Sequence, residues 1–171
     1  DDDTAFDGQA KRDVRNPAAG VPMQPEKARQ VRLELDELPR LEAAIDTATA
    51  DPYQRALFRF LLATGCRRGE ALKLRWQDVT LEGPRRAVTF RETKTGGDHA
   101  VPLSERAAAL LALPRIAGNP YVFAGAGGNG HLVGIDKTWR RIRELAGVPH
   151  LRIHDLRRSF GSWLGEAGFT S

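Results

Sequence analysis

Four residues in this chain, Arg67, Lys94, His154 and Arg157, combine types and settings that could do chemistry together. They stand in short local patterns: Thr64-Gly65-Cys66-Arg67-Arg68-Gly69-Glu70, then Thr93-Lys94-Thr95-Gly96-Gly97 ahead of Val101-Pro102-Leu103, then His154-Asp155-Leu156-Arg157. The chemistry that suits such a set is holding and cutting a phosphodiester without a metal. Arginine offers a planar, permanently charged fork that fits two phosphate oxygens. Lysine can give a proton to a leaving oxygen, and histidine can take one from an attacking hydroxyl. Beyond His154 no tyrosine, serine or cysteine stands in place as a nucleophile.

Each of these residues also has a plainer explanation. Arg67 opens a helix after a helix-ending glycine, where free N–H groups and the dipole favour an anion. Equally, it could pair with Glu70 three positions on, a contact worth about 0.2–0.5 kcal/mol if exposed. His154 and Arg157, three apart at a helix start, project from one face; the dull alternative is a capping histidine beside an unrelated arginine. A lysine at a hairpin tip such as Lys94 is commonly just solvated, although Gly96 and Gly97 give its loop freedom.

The elements that must position these residues can be read from period and punctuation. Asn16-Pro17, Gly20, Pro22 and Pro25 mark residues 1–30 as tail and linker. Leu38, Leu41, Ala44 and Ile45 then share a helical face. A second helix starts at Asp51-Pro52, carries Leu57, Phe58, Leu61 and Leu62 inward, and ends at Gly65. A short third helix carries Glu70, Ala71, Leu72 and Leu74. The period changes to two over Ala87–Arg91 and His99–Leu103, a hairpin turning at Gly96-Gly97, with a third strand near Val79–Leu81. Ser104 caps a helix of Ala107 to Leu113. An amphipathic helix over Asp136–Ala146 turns Ile135, Trp139, Ile142 and Leu145 inward and Lys137, Arg140, Arg141 and Arg143 outward. The last helix runs from His154 to Gly168. The expected class is α+β, mostly helical with a small three-stranded antiparallel sheet.

Several other leads fail on inspection. Gly125-Ala126-Gly127-Gly128-Asn129-Gly130 fits G-x-G-x-x-G, but it follows a very short Tyr121–Phe123 strand and opens no helix at its third glycine. It reads as a flexible loop. Cys66 reads as small core rather than a thiol nucleophile, and as a lone cysteine it excludes an internal disulfide. His99, His131, His150 and His154 lack metal-ligand spacing, and Asp1-Asp2-Asp3 fails as a calcium loop. No apolar run of membrane-spanning length occurs, and the single cysteine, which allows no internal disulfide, makes a reducing cytoplasm the expected setting. Residues 1–50 carry 7 basic and 11 acidic side chains, whereas residues 51–171 carry 19 and 11, a balance of +8. The basic excess lies with the motifs and suits a polyanion such as duplex DNA, or simply a solvated basic surface.

Taken together, the motifs resemble the catalytic domain of the tyrosine recombinases, the family of phage integrases and chromosome-dimer resolvases. That family carries a T-G-x-R-x-x-E box, a hairpin lysine ahead of a V-P-L strand and an H-x-L-R box, in the order found here. The resemblance covers residues 31–171, and Asn16-Pro17-Ala18 looks like the family's interdomain linker. It implies a partial catalytic domain over 31–171 acting on double-stranded DNA by metal-free, cofactor-free transesterification through a 3′-phosphotyrosyl intermediate. Arg67, rather than Arg68, and Arg157, rather than Arg158, would bind phosphate. His154 would assist the nucleophile's proton, Lys94 would protonate the leaving 5′ oxygen, and Glu70 would buttress the site. The family's L-G-H box and nucleophilic tyrosine have no counterpart here, so this chain alone is expected to be inactive. A monomer alone and a tetramer of the parent protein on synapsed DNA are the implied assemblies. The rival is a non-catalytic DNA-binding accessory module of the same fold.

Overall fold

In a computed structural model, residues 30–83, 85–91, 97–128 and 130–169 are described. Apart from Gln30, the expected tail and linker over 1–30 lie outside the described residues, as does Lys94.

The helices follow from capping chemistry joined to apolar stripes. After a 3-10 turn at Leu35–Glu37, α1 spans Leu38–Ala48 and buries Leu41, Ala44 and Ile45. Helix α2 spans Pro52–Thr64. It starts because Asp51 Oδ1 accepts the Tyr53 N–H at 2.9 Å, with Pro52 in the first turn. It stops because Gly65 turns left-handed, at φ 60°. Helix α3, Arg68–Leu72, is shorter than expected, and Leu74 lies beyond it yet buried.

Strands β1 (Val79–Thr80), β2 (Ala87–Phe90) and β3 (His99–Pro102) form one antiparallel sheet in sequence order, with Val88 opposite both Val79 and Val101. The fold is thus α+β, mostly helical with a small three-stranded antiparallel sheet. Helix α4, Glu105–Ala109, begins where Ser104 Oγ accepts the Ala107 N–H at 3.2 Å, and is shorter than the expected run to Leu113. Helices α5 (Ile135–Leu145) and α6 (Ile153–Glu166) complete the chain's described elements. Helix α1 packs on α5, and α2 packs on α3, α4 and α6. Phe58 and Trp139 meet at 5.6 Å between α2 and α5.

Three expectations need correction. Leu145 is 52% exposed rather than inward. At 100° per residue it stands roughly 80° from Ile135, whereas Ala146 falls only about 20° away and takes the core position. Arg143 is half-buried and donates to the Leu151 carbonyl at 3.5 Å, instead of pointing outward. The segment at Tyr121 is no strand: Tyr121 and Ala124 make only isolated bridges, to Arg75 and His131. The glycine-rich loop that follows is tied down by buried Asn119, whose Nδ2 donates to the Gly128 and Gly130 carbonyls at 2.7 and 2.8 Å. The next helix opens at Ile135, not at Gly130.

Candidate phosphodiester site

The turn between α2 and α3 carries the first arginine. Gly65 permits it twice over: its φ is positive, and a Cβ there would sit 2.4 Å from Phe160 Cδ1 on α6. The chain thus reverses direction against α6, and Arg67 emerges as the N-cap of α3. Both oxygens of Glu70 are committed to it. Oε2 accepts the Arg67 N–H at 2.8 Å, and Oε1 accepts Nη1 at 2.7 Å. The carboxylate is mostly buried while the Arg67 side chain stays about one-third exposed. Both halves of the sequence alternative are therefore present in one arrangement: the pair with Glu70 exists, and it holds the guanidinium at a helix start. Arg68 turns away into a two-pronged pair with Asp136 of α5, at 2.7 and 2.9 Å.

Cys66, inside this turn, is 4% exposed. Burial pushes its thiol up to about 12, which keeps it protonated and inert. The core role expected of it agrees with this placement.

The second arginine arrives from α6. Arg157 Nη1 donates to the Gly65 carbonyl at 2.6 Å, 92 positions away in sequence and two residues before Arg67. His154 lies one turn earlier on the same helix and is exposed. Asp155 is 2% exposed, and its carboxylate accepts the Arg152 N–H at 2.8 Å, closing the first turn of α6. Arg158 pairs with Asp155 at 3.9 Å and so belongs to the helix start rather than to the Gly65 turn.

Beside Arg67 opens a cleft of about 520 Å³, with Glu70, Lys73, Arg75, Asp78 and Arg91 on its wall. His154 and Arg157 do not line it; their link to the turn is the Gly65 carbonyl. Asp78 and Arg91 escaped the sequence reading. Buried Asp78 accepts from Arg91 Nε at 2.6 Å, and Arg91 also donates to Asp98 at 3.3 Å. The two carboxylates raise the Arg91 guanidinium above its ordinary value, the hydrogen bond to Asp78 foremost. Asp78 and Arg91 stand 13 positions apart, and nothing in the local sequence pattern marks that partnership.

Among the described residues no group of three or more His, Cys, Asp or Glu is placed to hold a metal, and no helix is long and apolar enough to cross a membrane.

The sequence model of the phage integrase family matches residues 31–170. The chain is 30% identical over 118 residues to the prophage integrase IntF of Escherichia coli K12, covering 66% of this chain and 25% of that protein. It is 33% identical over 162 residues to the tyrosine recombinase XerC of Xanthomonas campestris pv. campestris, covering 89% and 48%. It therefore spans between a quarter and about half of the length of these relatives. A crystal structure of the XerH site-specific recombinase bound to difH substrate, in a pre-cleavage complex, aligns with a TM-score of 0.64 at 27% identity, covering 80% of this chain and 43% of that one. The XerA recombinase aligns with a TM-score of 0.66 at 25% identity, over 82% and 52%.

Proposed function

The chain belongs to the phage integrase family, and from that premise we propose that it forms the phosphate-holding part of a tyrosine recombinase acting at specific DNA sites. Arg67 and Arg157 embrace the scissile phosphate and stabilise the charge that builds on its oxygens during transesterification. His154, on the open face of α6, serves the proton of the attacking hydroxyl. Lys94 protonates the departing 5′ oxygen. Duplex DNA is the substrate, bound by a monomer and cut within a tetramer on paired sites. The phosphotyrosyl link retains the energy of the broken bond for rejoining, so no nucleotide cofactor enters the scheme.

The observation that carries this reading is the Arg157 guanidinium on the Gly65 carbonyl. It joins the second arginine motif to the turn that presents the first. The buttressing of Arg67 by Glu70 and the diversion of Arg68 to Asp136 support the choice between neighbours.

Neither tyrosine of the 171 residues suits attack. Tyr53 donates its hydroxyl to the Pro114 carbonyl at 2.9 Å, and Tyr121 packs edge-on against His131 with Arg75 over its ring. The test uses a nicked suicide duplex and a version of the protein that includes a nucleophilic tyrosine after α6. Arg67→Ala and Arg157→Ala slow formation of the covalent protein–DNA band by about 10²–10³-fold while folding persists and DNA binding is weakened but not lost. Lys94→Ala is rescued by a sulfur leaving group, which needs no protonation. Near-normal cleavage by either arginine variant, or no sulfur rescue, contradicts the assignment of that residue.

A further inference from the structure

Helix α6 is fastened along the side opposite the one that bears His154 and Arg157. The Ser159 side chain is fully enclosed, and its hydroxyl is satisfied in both directions: it accepts the Leu33 N–H at 2.8 Å and donates to the Asp155 carbonyl at 2.9 Å. Next to Leu33 in sequence, Arg32 Nη1 donates to Ser162 Oγ and to Glu166 Oε1, forming an ion pair with the latter. Ser159, Ser162 and Glu166 recur at i, i+3 and i+7 and so make one stripe. At 100° per residue, Arg157 and His154 lie roughly 160° and 140° around the helix from Ser159. The extended segment 31–34 is thus a brace on the back of the helix whose front belongs to the site.

The brace acts near the chemistry as well as behind it. Ser159 bonds the carbonyl of Asp155, the residue that directly follows His154. The Asp155 carboxylate in turn closes the helix start on the Arg152 N–H. This bond back to the carbonyl four residues earlier ties Ser159 to the turn that carries His154. On the flank, Phe160 lies against Gly65, and Arg157 reaches the Gly65 carbonyl. A slide of α6 along α2 would strain these two attachments.

We propose that Ser159 and Arg32 are positioning residues for the phosphodiester site: by clamping α6 to the segment 31–34, they hold His154 and Arg157 in register with the Arg67 turn. This rests on the reading of that site given above and names the elements that set its geometry. It also makes the placement of the entering segment a control on the site, since any pull on residues 31–34 is delivered to the helix that carries His154.

The experiment uses the 171-residue chain, by NMR, with inorganic phosphate as the probe. Ser159→Ala leaves the Leu33 N–H buried without an acceptor. Arg32→Ala breaks the same brace from its more exposed edge and stays informative if Ser159→Ala fails to fold. In the folded variants, the free protein shows displaced Arg157 side-chain and His154 ring resonances, and the phosphate-dependent shift of the His154 ring is reduced or lost. Folded variants with wild-type resonances at Arg157 and His154 would overturn the proposal. Displaced resonances in the variants, with no phosphate response even in the wild-type chain, would uphold the brace and instead sink the anion-binding reading of the site.

Discussion

Helices α3 and α6 begin with the same device and use it differently. In each, a carboxylate three residues into the helix accepts the N–H of an N-cap arginine: Glu70 for Arg67, Asp155 for Arg152. At α3 that N-cap arginine is itself the candidate phosphate ligand, and the same carboxylate also holds its guanidinium. At α6 the carboxylate frames the helix and also pairs with Arg158, and the candidate ligand is Arg157, whose partner is a neutral backbone carbonyl. Arg67 is therefore well oriented but partly neutralised, whereas Arg157 keeps its full charge. One arginine is built for direction and the other for attraction.

The junction of the two regions is the place to break both at once. Gly65→Ala puts a side chain at positive φ and into the Phe160 ring, so it should cost roughly 2–5 kcal/mol in urea or thermal unfolding. Wild-type stability in that variant would mean that the turn and α6 are not apposed as described.

The next effect separates the two arginines. In the version of the protein that includes the nucleophilic tyrosine, each alanine substitution should slow cleavage by about 10²–10³-fold, as loss of one charge-stabilising donor typically does. Duplex DNA binding, whose affinity should fall steeply with salt, should weaken more for Arg157→Ala than for Arg67→Ala. Equal losses in binding would erase the distinction drawn between them.

Glu70→Gln sharpens the same contrast. It removes the charge that opposes phosphate and weakens the hold on Arg67. Phosphate binding should tighten while single-turnover cleavage slows; a fall in both would assign Glu70 to folding alone. Glu70→Ala, which also removes the cap, should destabilise the domain by about 0.5–2 kcal/mol.

The smallest effect at neutral pH concerns the interior of the turn. Cys66 is held near 12 when folded, against an ordinary 9.0. Between those values the unfolded chain loses the proton and the folded chain keeps it, so stability falls as pH rises above about 9, by up to ~1.4 kcal/mol per unit. Cys66→Ala should flatten that decline, and thiol reagents should label Cys66 only as the chain unfolds. Rapid labelling at pH 8 would contradict its burial.

What was legible in the sequence was local. Asp51-Pro52 and Gly65 bounded α2 because caps are side-chain chemistry written next to the helix they end. Ser104 and the alternation in the hairpin were legible for the same reason, whereas the preference for Arg67 over Arg68 rested on the family's motif. The attachments that assemble the site were not legible. Arg157 to Gly65, Leu33 to Ser159 and Arg91 to Asp78 join residues 92, 126 and 13 positions apart, and no periodicity reports such pairs. Leu145 was misplaced because composition marks it as core, whereas its angle around α5 gives the position to Ala146.

The most direct measurement is a crystal structure of this chain grown with vanadate, which mimics the five-coordinate phosphorus of the transesterification. The anion should lie between the guanidinium groups of Arg67 and Arg157, with the His154 ring against it and Arg68 still on Asp136. Vanadate bound instead by Arg68 or along the basic face of α5, with the Arg67–Arg157 space empty, would contradict it.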